Sequence, residues 1–392
     1  MEVKQIYTLI NTVSGEVLGK EDLVHEDLSG VADLGTEIFN QNVLDHYVKS
    51  LVNHIGKVVF VNRPYSGKVP SVLMDSWEFG SVLEKISADV PQAVENDTWN
   101  LQDGKEYNQD VFHKPTVSAK FFNSKVTFEV PVSITERQVK ESFSSAAQLN
   151  GFLSMIYSAV EKSMTIKTDA LVMRTINNMI AETLDADKTS FGSSTQEKVD
   201  YSSASTVRCV NLLKLYNDKT GTQLTPATAI TTPDFIRFAA YIMGLYSDRL
   251  QTISTLFNIG GKERFTPKDV LHTVLLSDFA AAAKTYLYAD TYHEDNVLLP
   301  KAETVASWQA TGKDYAFEHV STIDVKSASG ASISVSGVLG VMFDRDALGV
   351  TNLDRRVTTN YNAKAEFFNN YYKFDAGYFN DTNENFVVFF IA

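Results

Sequence analysis

The chain has 392 residues, of which 44% are hydrophobic and 21% charged, proportions typical of a globular protein with two or three structural units. Its 48 acidic and 35 basic residues give a net charge of -13, so it offers no basic surface of the kind that binds DNA or RNA. Cys209 is the single cysteine, which excludes an intrachain disulfide and a cysteine-rich zinc site and fits a reducing, intracellular origin.

The apolar stretches predict neither export nor membrane insertion. The first residues, MEVKQIYTLINTVSGEVLG, lack a basic segment followed by a long apolar core, so no secretion signal is expected. The longest stretch without a charged residue, residues 327–343, contains several serines and glycines, which lower its apolar content. It is also shorter than the roughly 18 to 20 apolar residues that a membrane-spanning helix needs.

The first half of the chain contains a helix and then a long excursion of short strands. Apolar residues recur at helical spacing over residues 43–55, and residues 57–62 (KVVFVN) are typical of a strand. Over residues 63–143, strand-like pieces such as 125–134 alternate with polar stretches, and Asp103-Gly104 is a turn signal in their middle. This pattern predicts a long hairpin that projects from the body and needs a partner surface for stability.

Helical spacing returns over residues 145–184, with no proline between them. If continuous from residue 149 to residue 184, this helix would extend roughly 50 Å. Residues 165–169 form a β-branched, charged patch, and the spacing leaves open whether the helix is kinked or broken there. Residues 187–205 are interpreted as a surface loop, and helices are predicted at 206–218, 234–250 and 266–288, the last with Thr266 as its N-cap and Pro267 in its first turn.

The C-terminal third is predicted to form a sheet. From Val320 onward polar and apolar residues alternate, and the last sixty residues are rich in tyrosine and phenylalanine. The final seven residues, FVVFFIA at 386–392, are apolar without interruption. Such a run is too short to cross a membrane and is typical of a strand buried on both faces.

Motifs that could carry chemistry are better explained as turns and loops. The loop NIGGKERFT at 258–266 lacks the Gly-Lys-Ser/Thr ending of a phosphate-binding loop and is interpreted as a turn. Asp344 and Asp346 could bracket a divalent metal, but a turn at a strand end is the more usual source of that spacing. Residues 293–295, His-Glu-Asp, are adjacent and cannot converge on one face, so they are interpreted as a solvated loop.

The remaining histidines and the cysteine also favour structural roles. His272 lies in an apolar stretch and is interpreted as a core or interface residue, with a ligand role as the weaker alternative. His46 and His54 are eight residues apart on the first helix, too far to share a metal without outside ligands. Cys209 is predicted to be buried and inert. No catalytic, cofactor-binding or metal-binding residue is predicted, and the chain is not expected to be an enzyme.

The order of these elements resembles the major capsid proteins of tailed bacteriophages, which have the Hong Kong 97 type fold, and among them the short-tailed phi twenty-nine group and its small podophage relatives. The stretches that carry the resemblance are VLDHYVKSLVNHIGKVVFVNR at 43–63, LEKISADVPQAVE at 83–95, KPTVSAKFFNSKVTFEVPVSITERQVKESF at 114–143, LNGFLSMIYSAVEKS at 149–163 and NNYYKFDAGYFND at 369–381.

The resemblance implies an α+β fold with five parts. They are an N-terminal arm and helix at 1–56, an extended β loop at 57–143, a peripheral domain at 144–234 with a spine helix at 145–184, an axial domain at 235–340, and C-terminal strands at 341–392 that complete the peripheral domain. In the family the extended loop lies over a neighbouring subunit. Residues 300–336 match no part of that pattern.

The implied function is that of a major capsid protein, which self-assembles as hexamers and pentamers into the icosahedral head shell around phage double-stranded DNA. Implied partners are other copies of the chain, a scaffolding protein and a portal protein at one vertex, with no membrane and no sequence-specific DNA binding. The resemblance also implies assembly in the host cytoplasm and a final location in the virion. The alternatives are a phage tail or collar protein and a cytoplasmic enzyme without a visible motif.

Two family features are not expected here. The immunoglobulin-like domain that follows the last capsid strand in phi twenty-nine type proteins has no counterpart in this sequence. The covalent Lys-Asn cross-link of some family members is not transferred either, because no lysine or asparagine lies in a matching motif.

Overall fold

The computed structural model describes residues 3–19, 69–74, 83–91, 93–107, 110, 112–135, 146–192, 200–288, 302–309 and 316–392. The helix predicted at 43–55, with His46 and His54, lies outside the described residues, as do the strand predicted at 57–62 and the loop at 293–295.

The described chain contains both helices and strands, with several consecutive strands toward each end, which confirms the α+β class. The α-helices are α1 (Val3–Leu18), α2 (Ala146–Ala186), α3 (Leu212–Thr220), α4 (Pro226–Ala229), α5 (Pro233–Arg249), α6 (Ser277–Tyr288) and α7 (Phe317–Val320). The strands are β1 (Leu73–Met74), β2 (Leu83–Ala88), β3 (Val117–Phe122), β4 (Lys125–Thr135), β5 (Cys209–Asn211), β6 (Leu271–Leu276), β7 (Glu303–Val305), β8 (Ile323–Lys326), β9 (Ser332–Val335), β10 (Val338–Asp344), β11 (Leu348–Asn362), β12 (Phe367–Asn380) and β13 (Phe386–Phe390).

Helix α2 is continuous over 41 residues, so the patch at 165–169 does not break it. At ~1.5 Å per residue it extends roughly 60 Å. The threonines of the patch are accommodated because their hydroxyls donate to carbonyl oxygens one turn earlier, from Thr165 to Glu161 at 2.9 Å and from Thr168 to Met164 at 3.0 Å.

A five-stranded sheet in the order β5-β13-β10-β6-β7 forms the centre of the molecule. Strand β13 pairs antiparallel with β10 and parallel with β5. Phe386, Val388 and Phe390 pack in one apolar cluster with residues of α2. Val387 and Phe389 pack in a second cluster with residues of α3, α5 and α6. The prediction of a strand buried on both faces is confirmed.

The position of β13 differs from the sequence expectation in one respect. It was expected in the same sheet as the other C-terminal strands, but β11 and β12 belong to a separate four-stranded sheet in the order β1-β11-β12-β4. An unbroken apolar strand needs cover on both faces, and the position between α2 and the helices α3, α5 and α6 provides it. Strand β12 instead alternates half-buried and buried residues over most of its length.

The four-stranded sheet also contains β4, which the sequence analysis placed in an arm of the projecting hairpin. Strand β4 pairs antiparallel with β12 from Lys125, opposite Gly377, to Thr135, opposite Phe367. Phe128 of β4 packs against Phe374 of β12, with ring centroids 5.0 Å apart. Strand β4 is therefore part of this sheet, and within the described residues of the predicted hairpin β2 and β3 remain as a separate pair.

Two predicted helices begin later than expected because their first residues join the central sheet. The helix predicted at 206–218 is β5 followed by α3, with the Asn211 side chain capping α3 through the Lys214 amide. The helix predicted at 266–288 is a turn and β6 followed by α6. Thr266 is not its N-cap, since its hydroxyl donates to the Asp344 carboxylate at 2.8 Å. The apolar residues of β6 are spaced as in a helix, but they form a strand because they pair with β10.

Candidate assembly interface

Strands β2 and β3 form an antiparallel two-stranded ribbon, from Leu83 opposite Phe122 to Ala88 opposite Val117. Within the described residues neither strand joins another sheet. Residues 83–122 are called the ribbon below, and residues 93–116 its tip. The ribbon is shorter than the long hairpin predicted over residues 63–143, because β4 belongs to the four-stranded sheet; projection of the ribbon from the body stays a prediction.

The ribbon leaves large apolar side chains in solvent. Trp99 is 94% exposed, Val94 87% and Phe112 84%. Nine of the fifteen exposed large apolar residues of the described chain belong to the ribbon: Ile86, Val90, Val94, Trp99, Leu101, Tyr107, Phe112, Val117 and Phe121. A surface of this kind marks a site of interaction with a partner.

The tip has a defined shape despite its exposure. The Asn96 side chain accepts hydrogen bonds from the amide and the hydroxyl of Thr98, at 3.0 and 2.6 Å. Lys105 lies 2.8 Å from the Asp97 carboxylate, and the Tyr107 hydroxyl accepts from the Gln102 amide at 2.9 Å. Gly104 supplies the positive φ of 77° that the turn at 103–104 requires. A tip held by its own hydrogen bonds loses less conformational entropy when it binds.

A cluster of charged side chains attaches the base of the ribbon to the body. Lys85 and Lys120 are directly opposite each other in the ribbon. The Lys85 ammonium lies 2.9 Å from Asp381 and 2.7 Å from Glu384, and the Lys120 ammonium lies 2.9 Å from Asp381. Arg264 completes this base cluster through its Nε, 3.3 Å from Glu384. The turn between β12 and β13 thus holds both strands of the ribbon.

The charges of the base cluster stabilise one another. Burial raises the pKa of Asp381, but hydrogen bonds from Lys85 and Lys120 outweigh it, so the net pKa is lowered. Burial lowers the pKa of Lys85, but hydrogen bonds to Glu384 and Asp381 and their charges outweigh it, so the net pKa is raised. Both shifts favour the ionised pair, and the cluster holds the ribbon while these groups are charged.

The loop at 258–266 adds a second attachment to the ribbon. It is a turn, as the sequence analysis interpreted it, and Lys262 lies 3.0 Å from Asp89 at the end of β2. Gly260 donates its amide to the Thr382 carbonyl at 2.8 Å. A Cβ at Gly260 would come within 2.0 Å of the Asn383 side chain, which would have to move to admit a larger residue.

One aromatic contact accompanies these polar ones. The rings of Phe122, at the end of β3, and Phe379, in β12, have centroids 5.0 Å apart. The Lys120 ammonium lies 5.3 Å from the centroid of the Phe122 ring. The attachment of the ribbon to the body is therefore mainly ionic, with a small apolar contribution.

Of the residues singled out for chemistry, His272 and Asp344 lie on the neighbouring strands β6 and β10, and Cys209 lies on β5, which β13 separates from β10. Asp344 and Asp346 form the turn between β10 and β11, as interpreted, and the Asp346 amide donates to Asp344 at 2.9 Å. His272 is half-buried on β6 against the Phe343 ring, and burial lowers its pKa. Cys209 is buried on β5, and burial raises its pKa.

In the described part of the chain, no three His, Cys, Asp or Glu side chains gather closely enough to hold a metal ion. None of the helices in those ranges combines the length and apolar character needed to cross a membrane.

The sequence analysis did not identify the base cluster. The available signal was that Lys85 and Lys120 face each other once β2 and β3 are aligned, because like charges in directly opposed positions destabilise a ribbon unless carboxylates neutralise them. Asp381 and Glu384, which neutralise them, lie more than 250 residues further along the chain, and no local pattern connects them.

Solved phage structures show limited similarity to this chain. The capsid structure of Staphylococcus phage Andhra is 8% identical, with 84% of this chain and 86% of that chain covered and a TM-score of 0.49. The capsid structure of cyanophage P-SCSP1u is 12% identical, with 85% and 90% covered and a TM-score of 0.45. The mature capsid of bacteriophage PhiM1 is 8% identical, with 85% and 89% covered and a TM-score of 0.40.

A comparison with curated proteins found no match. The model of one protein family, described as the Phi29-like phage major capsid protein, matches residues 8–390. Because this match covers nearly the whole sequence, the chain belongs to the family of Phi29-like phage major capsid proteins.

Proposed function

We propose that this chain self-assembles as hexamers and pentamers into the icosahedral head shell that encloses phage double-stranded DNA. The observation that carries the proposal is the ribbon, whose exposed apolar side chains have no cover within the described chain. Burying them stabilises an assembly by about 25 cal/mol for each Å² of apolar surface removed from water. Another copy of the chain is the partner available at every position of a closed shell.

The arrangement of parts within the subunit is also a proposal. The ribbon would be the core of the extended loop at 57–143, and α2 the spine helix at 145–184. An axial domain at 235–340 is supported by the packing of α5 and α6 on one face of the central sheet. The C-terminal segment at 341–392 would contribute to both sheets. Strands β11 and β12 lie in the four-stranded sheet, and β13 lies in the five-stranded sheet.

The charge of the chain fits a container for DNA. With a net charge of -13, the wall repels the phosphate backbone over most of its surface, which allows DNA to be packaged and ejected without adhesion. The role is structural and not catalytic. A scaffolding protein would guide assembly in the host cytoplasm, and a portal protein would occupy one vertex.

Co-expression of the chain with its scaffolding protein, followed by negative-stain electron microscopy and sedimentation, tests this function. Closed shells of uniform diameter are expected. Rings or tubes would instead indicate a tail or collar component, and a monodisperse monomer under all assembly conditions would refute the proposal.

A further inference from the structure

The ribbon meets the body at two separate places along β2. At the base cluster, the Lys85 ammonium lies 2.9 Å from Asp381 and 2.7 Å from Glu384. Asp89, which follows the end of β2, lies 3.0 Å from Lys262. Lys85 and Asp89 are four residues apart, roughly 13 Å in an extended chain. A ribbon attached at one place can turn about it, whereas attachment at a second place fixes its orientation.

The backbone of Lys262 is held by Asn258. The Asn258 side chain is buried, donates to the Lys262 carbonyl at 2.7 Å and accepts from the Lys262 amide at 2.8 Å. Gly261, with a φ of 63°, supplies the left-handed backbone of this turn. Breaking the bonds of a buried amide costs free energy, so Lys262 keeps its position independently of the ribbon.

The same turn is bonded to the C-terminal end of α2. Arg208 donates from Nη1 to the Asn258 carbonyl at 2.8 Å and from Nη2 to the carboxylate of Asp187, which follows α2. The Thr206 hydroxyl donates to the other oxygen of that carboxylate at 2.7 Å. Polar contacts therefore run without interruption from the end of α2 to Lys262. The four residues Asp187, Arg208, Asn258 and Lys262 are called the brace below.

The contact between the brace and the ribbon is the most exposed part of this chain of contacts. The side chains of Lys262 and Asp89 are 32% and 36% exposed, whereas those of Arg208 and Asp187 are 19% and 8% exposed. Ion pairs that remain open to solvent contribute little to folding. The Lys262–Asp89 pair can therefore be removed without unfolding the subunit, and its effect is on the orientation of the ribbon.

We propose that the brace sets the orientation of the ribbon relative to the body, and through it the angle between neighbouring copies and the diameter of the shell. The proposal rests on the proposed function, because this orientation affects assembly only if the ribbon joins copies. A closed shell of one diameter requires equivalent copies to meet at the same angle. A ribbon that turns about the base cluster would join copies over a range of angles.

The orientation can be measured in free subunits, without assembly. Spin labels are attached to cysteines introduced at Glu106, in the tip, and at Lys284, in α6, both exposed positions. The native Cys209 is buried and should not react. Double electron–electron resonance should give one narrow distance distribution for the otherwise unchanged chain. Lys262→Met should broaden it and raise the displaced population by up to about fivefold, the effect of losing one partly exposed ion pair.

Two further variants separate the brace from a general effect of charge. Lys268→Met removes the same charge from a pair with Asp248 that does not involve the ribbon, so it is the matched control and should leave the distribution narrow. Exchanging the charges, with Lys262→Asp and Asp89→Lys together, should restore the narrow distribution. Thermal unfolding midpoints should be the same for Lys262→Met and Lys268→Met.

Co-expression with the scaffolding protein then tests the consequence for the shell. Lys262→Met should give shells with a wider range of diameters in negative-stain micrographs, and Lys268→Met shells of uniform diameter. An equally narrow distance distribution in Lys262→Met would show that the brace does not orient the ribbon. A broadened distribution with shells of uniform diameter would show that it does not set the angle between copies. Either result overturns the inference while the capsid function stands, whereas failure of the unchanged chain to form shells would refute the proposed function itself.

Discussion

The ribbon and the strand β13 contain similar apolar residues but have opposite surroundings. Strand β13 is buried on both faces between α2 and the helices α3, α5 and α6. The ribbon exposes its apolar side chains and is attached to the body mainly by ion pairs. The first region stabilises the subunit, whereas we propose that the second gains its stability from neighbouring subunits. Changes in the two regions should therefore separate folding from assembly.

Loss of β13 should have the largest effect. Deleting residues 386–392 removes the strand between β5 and β10, so we expect no cooperative unfolding transition and an insoluble product. The single substitution Phe389→Ala should leave a folded chain with a free energy of unfolding lowered by about 3–5 kcal/mol. Chemical denaturation of the purified chain measures both. A deletion variant that stays soluble and assembles would contradict the assigned role.

Deleting residues 97–108 from the tip should produce the opposite result. The subunit should keep its unfolding midpoint, because residues 97–107 are exposed and bond mainly to one another. Shell formation should be lost, because the tip provides much of the exposed apolar surface. Circular dichroism with temperature and negative-stain microscopy measure the two properties. Unfolding of the isolated subunit by this deletion would show that the tip belongs to the core.

A change in the base cluster should have an intermediate effect. Asp381→Asn leaves the Lys85 and Lys120 ammonium groups with one fewer carboxylate, at a site where the Asp381 side chain is 2% exposed. We expect a loss of about 1–3 kcal/mol in the free energy of unfolding and faster hydrogen exchange in β2 and β3. Asp354→Asn is the control, because Asp354 belongs to an exposed ion pair on β11. It should change neither the free energy of unfolding nor the hydrogen exchange of β2 and β3. Equal hydrogen exchange in β2 and β3 of the two variants would contradict the role of Asp381 in attaching the ribbon to the body.

The smallest effect should be a pH dependence of ribbon attachment. The lowered pKa of Asp381 means that its contribution is complete above the ordinary aspartate pKa of about 3.9 and is lost as pH falls through the lower folded value. The raised pKa of Lys85 means that its contribution is complete below about 10.4 and is lost as pH rises through the higher folded value. Hydrogen exchange in β2, corrected for its intrinsic rate, should therefore be constant between these limits. A transition near neutral pH would contradict the account.

Patterns that depend on neighbouring residues predicted the structure well. Helices α2 and α5 and strand β13 are continuous runs of helical or apolar spacing, and each lies where the sequence placed it. The family prediction is confirmed as well, because the family match covers the same stretches that carried the resemblance. The division into peripheral and axial domains stays a prediction.

Features that depend on distant residues were missed. Strand β6 was placed in a helix because its apolar residues suit either structure, and only its pairing with β10 decides between them. Strand β4 was placed in the projecting hairpin because its partner, β12, lies more than 230 residues later. The base cluster joins residues from three separate segments, so no local spacing reveals it.

The measurement that tests the central claim most directly is hydrogen exchange by mass spectrometry on free subunits and on assembled shells. We expect the tip to exchange rapidly in free subunits and to become protected in shells. Strand β13 should be protected equally in both. A tip that exchanges at the same rate in subunits and shells would show that the ribbon is not an assembly surface.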